Sequence, residues 1–147
     1  MHWRVITVGK PALSWARQGA EDYLKRLQRT GRHEWVVIKE GPPEGVVAKM
    51  LAASEGHLKV VLDERGVAWR SMDLAHWIEA RQQEGVKRAA LLIGGAEGHS
   101  QSLRDAADVC WSLSKLTLQH ELALTVALEQ LYRAGSILRG EPYHREG

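Results

Sequence analysis

The stretch Ala89-Ala90-Leu91-Leu92-Ile93-Gly94-Gly95-Ala96-Glu97-Gly98 decides the fold. Five apolar residues without a polar break read as a strand buried on both faces, the habit of a central strand in a parallel sheet. Glycines follow, and a short helix is predicted from about Gln101 to Ala107. Strand, glycine turn and helix together form the unit of an open α/β sheet, in which ligands sit beyond the carboxyl ends of the strands. Two readings of the turn fit: a tight strand-to-helix connection, or a place where a ligand approaches bare backbone. The turn is neither the G-x-G-x-x-G fingerprint of dinucleotide binders nor a phosphate loop ending in Lys-Ser/Thr.

Upstream the same alternation repeats. Trp3 to Val8 is an apolar, β-branched strand ending at Gly9. From Pro11 to Leu27 the apolar residues Leu13, Ala16, Ala20, Tyr23, Leu24 and Leu27 recur at helical spacing. Glu34 to Lys39 is a second strand, Gly41-Pro42-Pro43 breaks the chain, and Glu44 to Ser54 forms a short helix. Leu58 to Leu62 is a third strand closed by Asp63-Glu64-Arg65-Gly66, and Ser71 is placed to cap a helix running to about Glu84. Downstream, Asp108 to Leu113 reads as a short strand and Glu121 to Leu138 as the last helix, stopped at Gly140. This order predicts one α/β domain over residues 1–147, a mainly parallel sheet with helices on both faces.

Composition narrows the function classes. The chain has 147 residues, 44% of them hydrophobic, enough for a core. It contains no apolar run of membrane-spanning length and begins with a strand rather than a signal peptide. Cys110 is the only cysteine, which excludes an internal disulfide and a cysteine metal cage. A cytoplasmic location is therefore expected. The formal charge of +2 neither demands nor forbids an RNA partner, because a local basic patch matters more than the total. Six Trp and no Phe are expected to fill core and interface space.

Other segments carry candidate chemistry. Leu113-Ser114-Lys115-Leu116-Thr117-Leu118 alternates apolar and polar residues. It fits a strand with one wet face, or a loop whose side chains cover an adenine while backbone groups meet its edge. His120 stands at the start of the last helix, where a cap or packing role also fits. His144 lies in the tail between Tyr143 and Arg145. No metal is expected, because the histidines lack ligand spacing. Arg133, Arg139 and Arg145 either meet phosphates or solvate the surface.

Taken in order, these blocks resemble a known family. They are Gly94-Gly95-Ala96-Glu97-Gly98, Leu113 through Leu118, His120, Leu128-Glu129-Gln130-Leu131-Tyr132-Arg133-Ala134 and Gly140-Glu141-Pro142-Tyr143-His144-Arg145. Val8-Gly9-Lys10 and Glu21-Asp22-Tyr23-Leu24-Lys25-Arg26 extend the likeness to the start. The chain is similar to the ribosomal RNA large subunit methyltransferase H family of the SPOUT superfamily. The resemblance implies a C-terminal trefoil knot, which pattern reasoning would not propose. It also implies a homodimer with its site near the interface, and S-adenosylmethionine as cofactor. The implied reaction is methylation of N3 of a pseudouridine in helix 69 of 23S rRNA on the assembled ribosome.

Carried over by position, the resemblance puts cofactor contacts on Leu62, Gly94, Leu113, Ser114, Lys115, Leu116, Thr117 and Leu118. His144 becomes the first candidate base, Tyr143 its orienting partner and His120 the second candidate. Lys10, Arg133 and Arg139 are the expected RNA contacts. The sequence departs from the family at Gln119, where Pro is usual, at Leu124, where Arg is common, at Ala96, and in a shorter loop around Gly41–Pro43. Leu124 removes a cation from near the expected site. Two rival readings are a methyltransferase for another RNA and a non-catalytic ribosome-associated protein of the same fold.

Overall fold

A computed structural model describes residues 1–95 and 99–145 of the chain. Ala96, Glu97 and Gly98 of the glycine turn, and Glu146 and Gly147 of the tail, lie outside the described residues. The elements are β1 (His2–Val8), α1 (Ser14–Gln28), β2 (Glu34–Ile38), α2 (Pro43–Ala53), β3 (Leu58–Ala68), α3 (Ser71–Gln83), β4 (Arg88–Leu92), α4 (Gln101–Ala106), β5 (Val109–Ser112) and α5 (His120–Leu138). The five strands make one sheet in the order β2-β1-β4-β3-β5, and every pairing is parallel. The parallel α/β sheet expected from the sequence is present.

Strand periodicity divides the core. Trp3 and Val5 of β1, Val60 of β3 and Ala89 and Leu91 of β4 face one side. There they meet Ala20 and Leu27 of α1, Leu74 and Ile78 of α3, and Leu124, Leu128 and Leu131 of α5. Ile6, Val61, Ala90 and Leu92 face the other side and meet Met50 of α2 and Leu103 of α4. Residues 89–92 are wholly buried, so β4 has no wet face, as its unbroken apolar run requires. Burying each of the larger side chains here, such as Leu91, Leu92, Ile6 or Met50, contributes roughly 1.5–3 kcal/mol.

Three local readings are corrected. The third strand does not end at Leu62. It continues to Ala68, with a register break between Leu62 and Val67, both of which pair with Trp111. Gly66 makes this possible: a Cβ there would collide with the backbone of Cys110. The turn-like composition of Asp63–Gly66 marks this irregularity within the strand. Second, Ser71 is the first helical residue rather than the cap. Arg70 is the N-cap, and its N–H donates to Asp73 Oδ2 at 3.0 Å. The Ser71 hydroxyl instead donates to Gln130 Oε1 at 2.7 Å, tying α3 to α5. Third, the last helix is capped by Gln119, whose Oε1 accepts from the N–H groups of Glu121 and Leu122. His120 is therefore not the cap.

Trp3 and Trp111 are core residues, Trp35 is half-buried, and Trp69 lies between Trp77 and Trp111. Trp15 is more than half exposed. The last helix packs along α1, where Gly19 admits Thr125; a Cβ on Gly19 would stand 2.9 Å from Thr125 Cγ2.

Gly66→Ala is expected to destabilise the fold by about 1–3 kcal/mol through overpacking. Gly45→Ala, inside α2 with nothing within 4 Å of the new methyl, should stabilise by about 0.4–1 kcal/mol. Urea unfolding of both variants checks the contrast, and equal effects would disprove it.

A pH dependence follows from His33, whose Nδ1 accepts the Trp3 N–H at 3.1 Å. Burial, with His2 nearby, lowers its pKa from 6.5 to about 4. The unfolded chain therefore binds the extra proton first, and stability is lost as pH falls from about 6.5 towards about 4. Denaturation midpoints at several pH values in that window should converge for wild type and His33→Gln as pH falls; parallel curves would exclude His33 as the source.

Candidate active site

The irregular part of β3, the carboxyl end of β4, the loop after β5 and the first turn of α5 enclose a cavity of about 400 Å³. Leu62 to Arg65 form one wall, Ile93 to Gly95 another, and Leu113, Ser114 and Leu116 to Gln119 a third. His120 and Ala123 close the side nearest α5. The volume suits a small molecule of nucleoside size. Of the expected cofactor residues, only Lys115 is absent from the lining.

The 113–118 segment is a loop shaped by its small polar residues, not a strand with a wet face. The Ser112 hydroxyl donates to the carbonyl of Ser114 at 2.9 Å, and Ser114 Oγ accepts the Leu116 N–H at 3.0 Å. Thr117 Oγ1 donates to Glu64 Oε2 at 3.0 Å, joining this loop to the irregular part of β3. These bonds leave Leu116 72% exposed at the cavity, an apolar surface suited to cover a flat ring.

The opposite wall holds a pair that the sequence reading missed. Arg104 Nη1 donates to Asp63 Oδ2 at 3.3 Å and to the His99 carbonyl at 2.8 Å. The Asp63 and Arg104 side chains are mostly buried. One guanidinium thus ties the irregular part of β3 to His99, the residue whose ring reaches the end of β4. His99 hydrogen-bonds the Leu92 carbonyl through Nε2 at 3.0 Å, and burial lowers its pKa. A neutral ring with its proton on Nε2 fits both facts. Asp63 and Arg104 stand 41 residues apart, and no local spacing links them.

A second cavity of about 230 Å³ lies at the carboxyl end of β1. It shares Ile93, Gly94 and His120 with the first. Lys10 is on its border, and so is Leu124, which is 3% exposed and part of the core. The position where the resemblance leads to an expected Arg is here an apolar packing residue.

The expected tail residues sit elsewhere. Tyr143 OH donates to Glu129 Oε2 at 2.9 Å and shares a hydrogen bond with Tyr23 OH at 2.9 Å. Burial and these two bonds push its pKa far up, so the phenol stays protonated. Arg133 binds Glu129 at 2.9 Å, lies over the Tyr143 ring and meets His144 Nδ1 at 3.1 Å. From His120 to Arg133 the helix advances roughly 20 Å at ~1.5 Å per residue. Tyr143 and His144 therefore line neither cavity of their own chain. Arg139 is paired with Glu141 near the same far end, so Lys10 and the two arginines do not form one patch within a chain. Among the described residues, no cluster of three or more His, Cys, Asp or Glu side chains is placed to hold a metal ion.

Comparison with known proteins places this geometry in context. A family model described as Predicted SPOUT methyltransferase matches residues 1–144. A ribosomal RNA large subunit methyltransferase H from Thermus thermophilus is 46% identical over 145 residues, covering 99% of each chain. The protein of the same name from Deinococcus deserti is 41% identical over 146 residues, covering 99% of this chain and all of that one. Among solved structures, the SpoU methyltransferase AviRb from Streptomyces viridochromogenes aligns with 95% of this chain at a TM-score of 0.52 and 16% identity. This chain spans 61% of that protein's length, and at such identity the likeness concerns the fold alone.

Glu129 is the common acceptor of the tail network. Glu129→Ala removes the four hydrogen bonds this carboxylate accepts, two from Arg133 and one each from Tyr143 and Gln130; a bond to a charged group contributes about 1.5–3 kcal/mol. Proteolysis within residues 140–145 should accelerate by about tenfold or more under native conditions. An unchanged cleavage rate would show that the tail is held by other contacts.

Proposed function

The chain belongs to the SPOUT methyltransferases, and from that premise we propose that it methylates N3 of a pseudouridine in helix 69 of 23S rRNA on the assembled ribosome. At the coarser level it is a large-subunit ribosomal RNA methyltransferase that uses S-adenosylmethionine. The observation that carries the reading is the 400 Å³ cavity at the carboxyl ends of the sheet, walled by Leu62, Gly94 and the 113–118 loop. A C-terminal trefoil knot belongs to the same reading.

The residues present fit the cofactor. Leu116 and Leu118 offer apolar faces for the adenine, and the open backbone at Gly94 and Gly95 offers close approach. The bound cofactor supplies an electrophilic methyl group on a sulfonium. The chain must hold the acceptor nitrogen in line with that methyl, and such positioning contributes several kcal/mol out of ~7–11. It must also let the N3 proton leave, because the neutral ring nitrogen has no available lone pair.

His144 is the first candidate base and His120, beside the cavity, the second. Tyr143 is held protonated and donating, which suits a group that orients the tail. The absence of Tyr143 and His144 from the lining of both cavities of their own chain favours a homodimer in which one subunit's tail serves the other's cavity. Arg133, Arg139 and Lys10 then supply cations to the RNA backbone from two subunits.

Purified protein mixed with labelled S-adenosylmethionine and ribosomes lacking the modification should place label on a pseudouridine of 23S rRNA. His144→Ala should slow transfer by about 100-fold or more while cofactor affinity is retained. Wild-type turnover in that variant would remove His144 from the chemistry. Label on another RNA would reassign the substrate.

A further inference from the structure

We propose that the smaller cavity, at the carboxyl end of β1, is the subsite that receives the target base, a pyrimidine with an imide edge, once it is turned out of its RNA stack. This deepens, and rests on, the reading of the chain as an RNA methyltransferase. Enzymes that modify a base within a folded RNA take it out of the stack and hold its edge in a pocket. The chain needs such a pocket in contact with the cofactor cavity. The smaller cavity shares Ile93, Gly94 and His120 with the larger one, so a ring seated there abuts the place assigned to the methyl donor. At about 230 Å³ it falls below the ~300–1,000 Å³ of drug-sized sites. It suits one flat ring rather than a second nucleoside.

The walls match the chemistry of an imide. Such a ring edge alternates carbonyl acceptors with N–H donors. Lys10 brings an ammonium donor and Glu40 a carboxylate acceptor to the cavity, and both are exposed. Glu40 lies against Gly9, whose φ of +71° turns the chain there; a Cβ would stand 3.0 Å from Glu40 Oε1. A pseudouridine carries a second ring N–H, at N1, which uridine uses for its glycosidic bond. A carboxylate acceptor therefore gives the site a means of telling the two apart.

The wall formed by residues 9–12 is also fixed before any RNA arrives, through its own bonds and those of the adjoining Leu13. The Gly9 N–H donates to the Ile38 carbonyl at 2.8 Å, and Arg17 holds the Pro11 carbonyl at 2.9 Å. Glu121 Oε1 accepts the Leu13 N–H at 3.1 Å. Burial opposes the charge on Glu121, yet the backbone N–H groups of Leu13 and Ala12, with the Gln119 side chain and His120, together hold the carboxyl below its usual range. The wall is thereby clipped to the first turn of α5, next to His120, and a preorganised wall lowers the ordering cost of binding.

Two variants test the assignment, each measured for S-adenosylmethionine affinity by calorimetry and for methyl transfer to unmodified ribosomes. Ala12→Trp puts a bulky ring on an exposed residue at the cavity wall and should fill the space. Transfer is expected to fall by about 100-fold, with the cofactor Kd within about threefold of wild type. Glu40→Ala is the discriminating partner. If Glu40 only bordered an RNA backbone, deleting its negative charge would strengthen ribosome binding. The base subsite instead expects transfer to fall by about tenfold. Transfer undiminished in both variants overturns the proposal. So does a cofactor Kd raised about tenfold or more in either, which would assign the cavity to the cofactor. If the wild-type protein itself transfers no methyl group to ribosomal RNA, the functional reading fails and the subsite falls with it.

Discussion

The rest of the molecule depends on the burial of β4. Its backbone is paired with β1 on one side and β3 on the other, and residues 89–92 are closed to solvent on both faces. A strand so enclosed meets a ligand only at its end. The neighbouring strands run parallel, so their ends open in the same direction, and loops from β1, β3 and β5 gather where Ile93 and Gly94 emerge. Both cavities are lined by these two residues. The site is thus a consequence of how the core is filled.

α5 joins the two halves of the candidate chemistry. Its first turn supplies His120 to both cavities and clips the 9–13 segment through Glu121. Its middle fills the core with Leu124, Leu128 and Leu131. From its middle and the turn beyond, Glu129 and Arg133 gather Tyr143 and His144. The hydrogen bond from Ser71 to Gln130 and the seating of Thr125 over Gly19 fix this helix against α3 and α1. Side chains that look structural therefore set where the reactive groups stand.

Much of this was legible in the sequence because it depends on local periodicity. The run Ala89–Ile93 announced a doubly buried strand, the helical spacing of Ala16, Ala20 and Leu27 announced α1, and the cavity loops fell where strands gave way to glycine or small polar residues. What escaped was set by contacts between distant segments. The extension of β3 past Leu62 depends on Gly66 meeting the backbone of Cys110, and a turn-like composition concealed it. The Asp63–Arg104 pair and the second cavity need segments that only the folded sheet brings together. Likewise the resemblance makes His144 the first candidate base, and only the folded chain shows that Glu129 and Arg133 of α5 hold the tail away from both cavities of the same chain.

As one unbroken helix, α5 acts as a ruler. An α-helix turns by about 100° for each residue, so inserting or deleting a single residue between His120 and Glu129 would swing the tail anchors to a different side of the helix while leaving both ends chemically intact. Only changes of about a whole turn would restore the facing, and those would alter the span by ~5.4 Å. Over evolutionary time this segment should therefore accept substitution far more readily than a change of length.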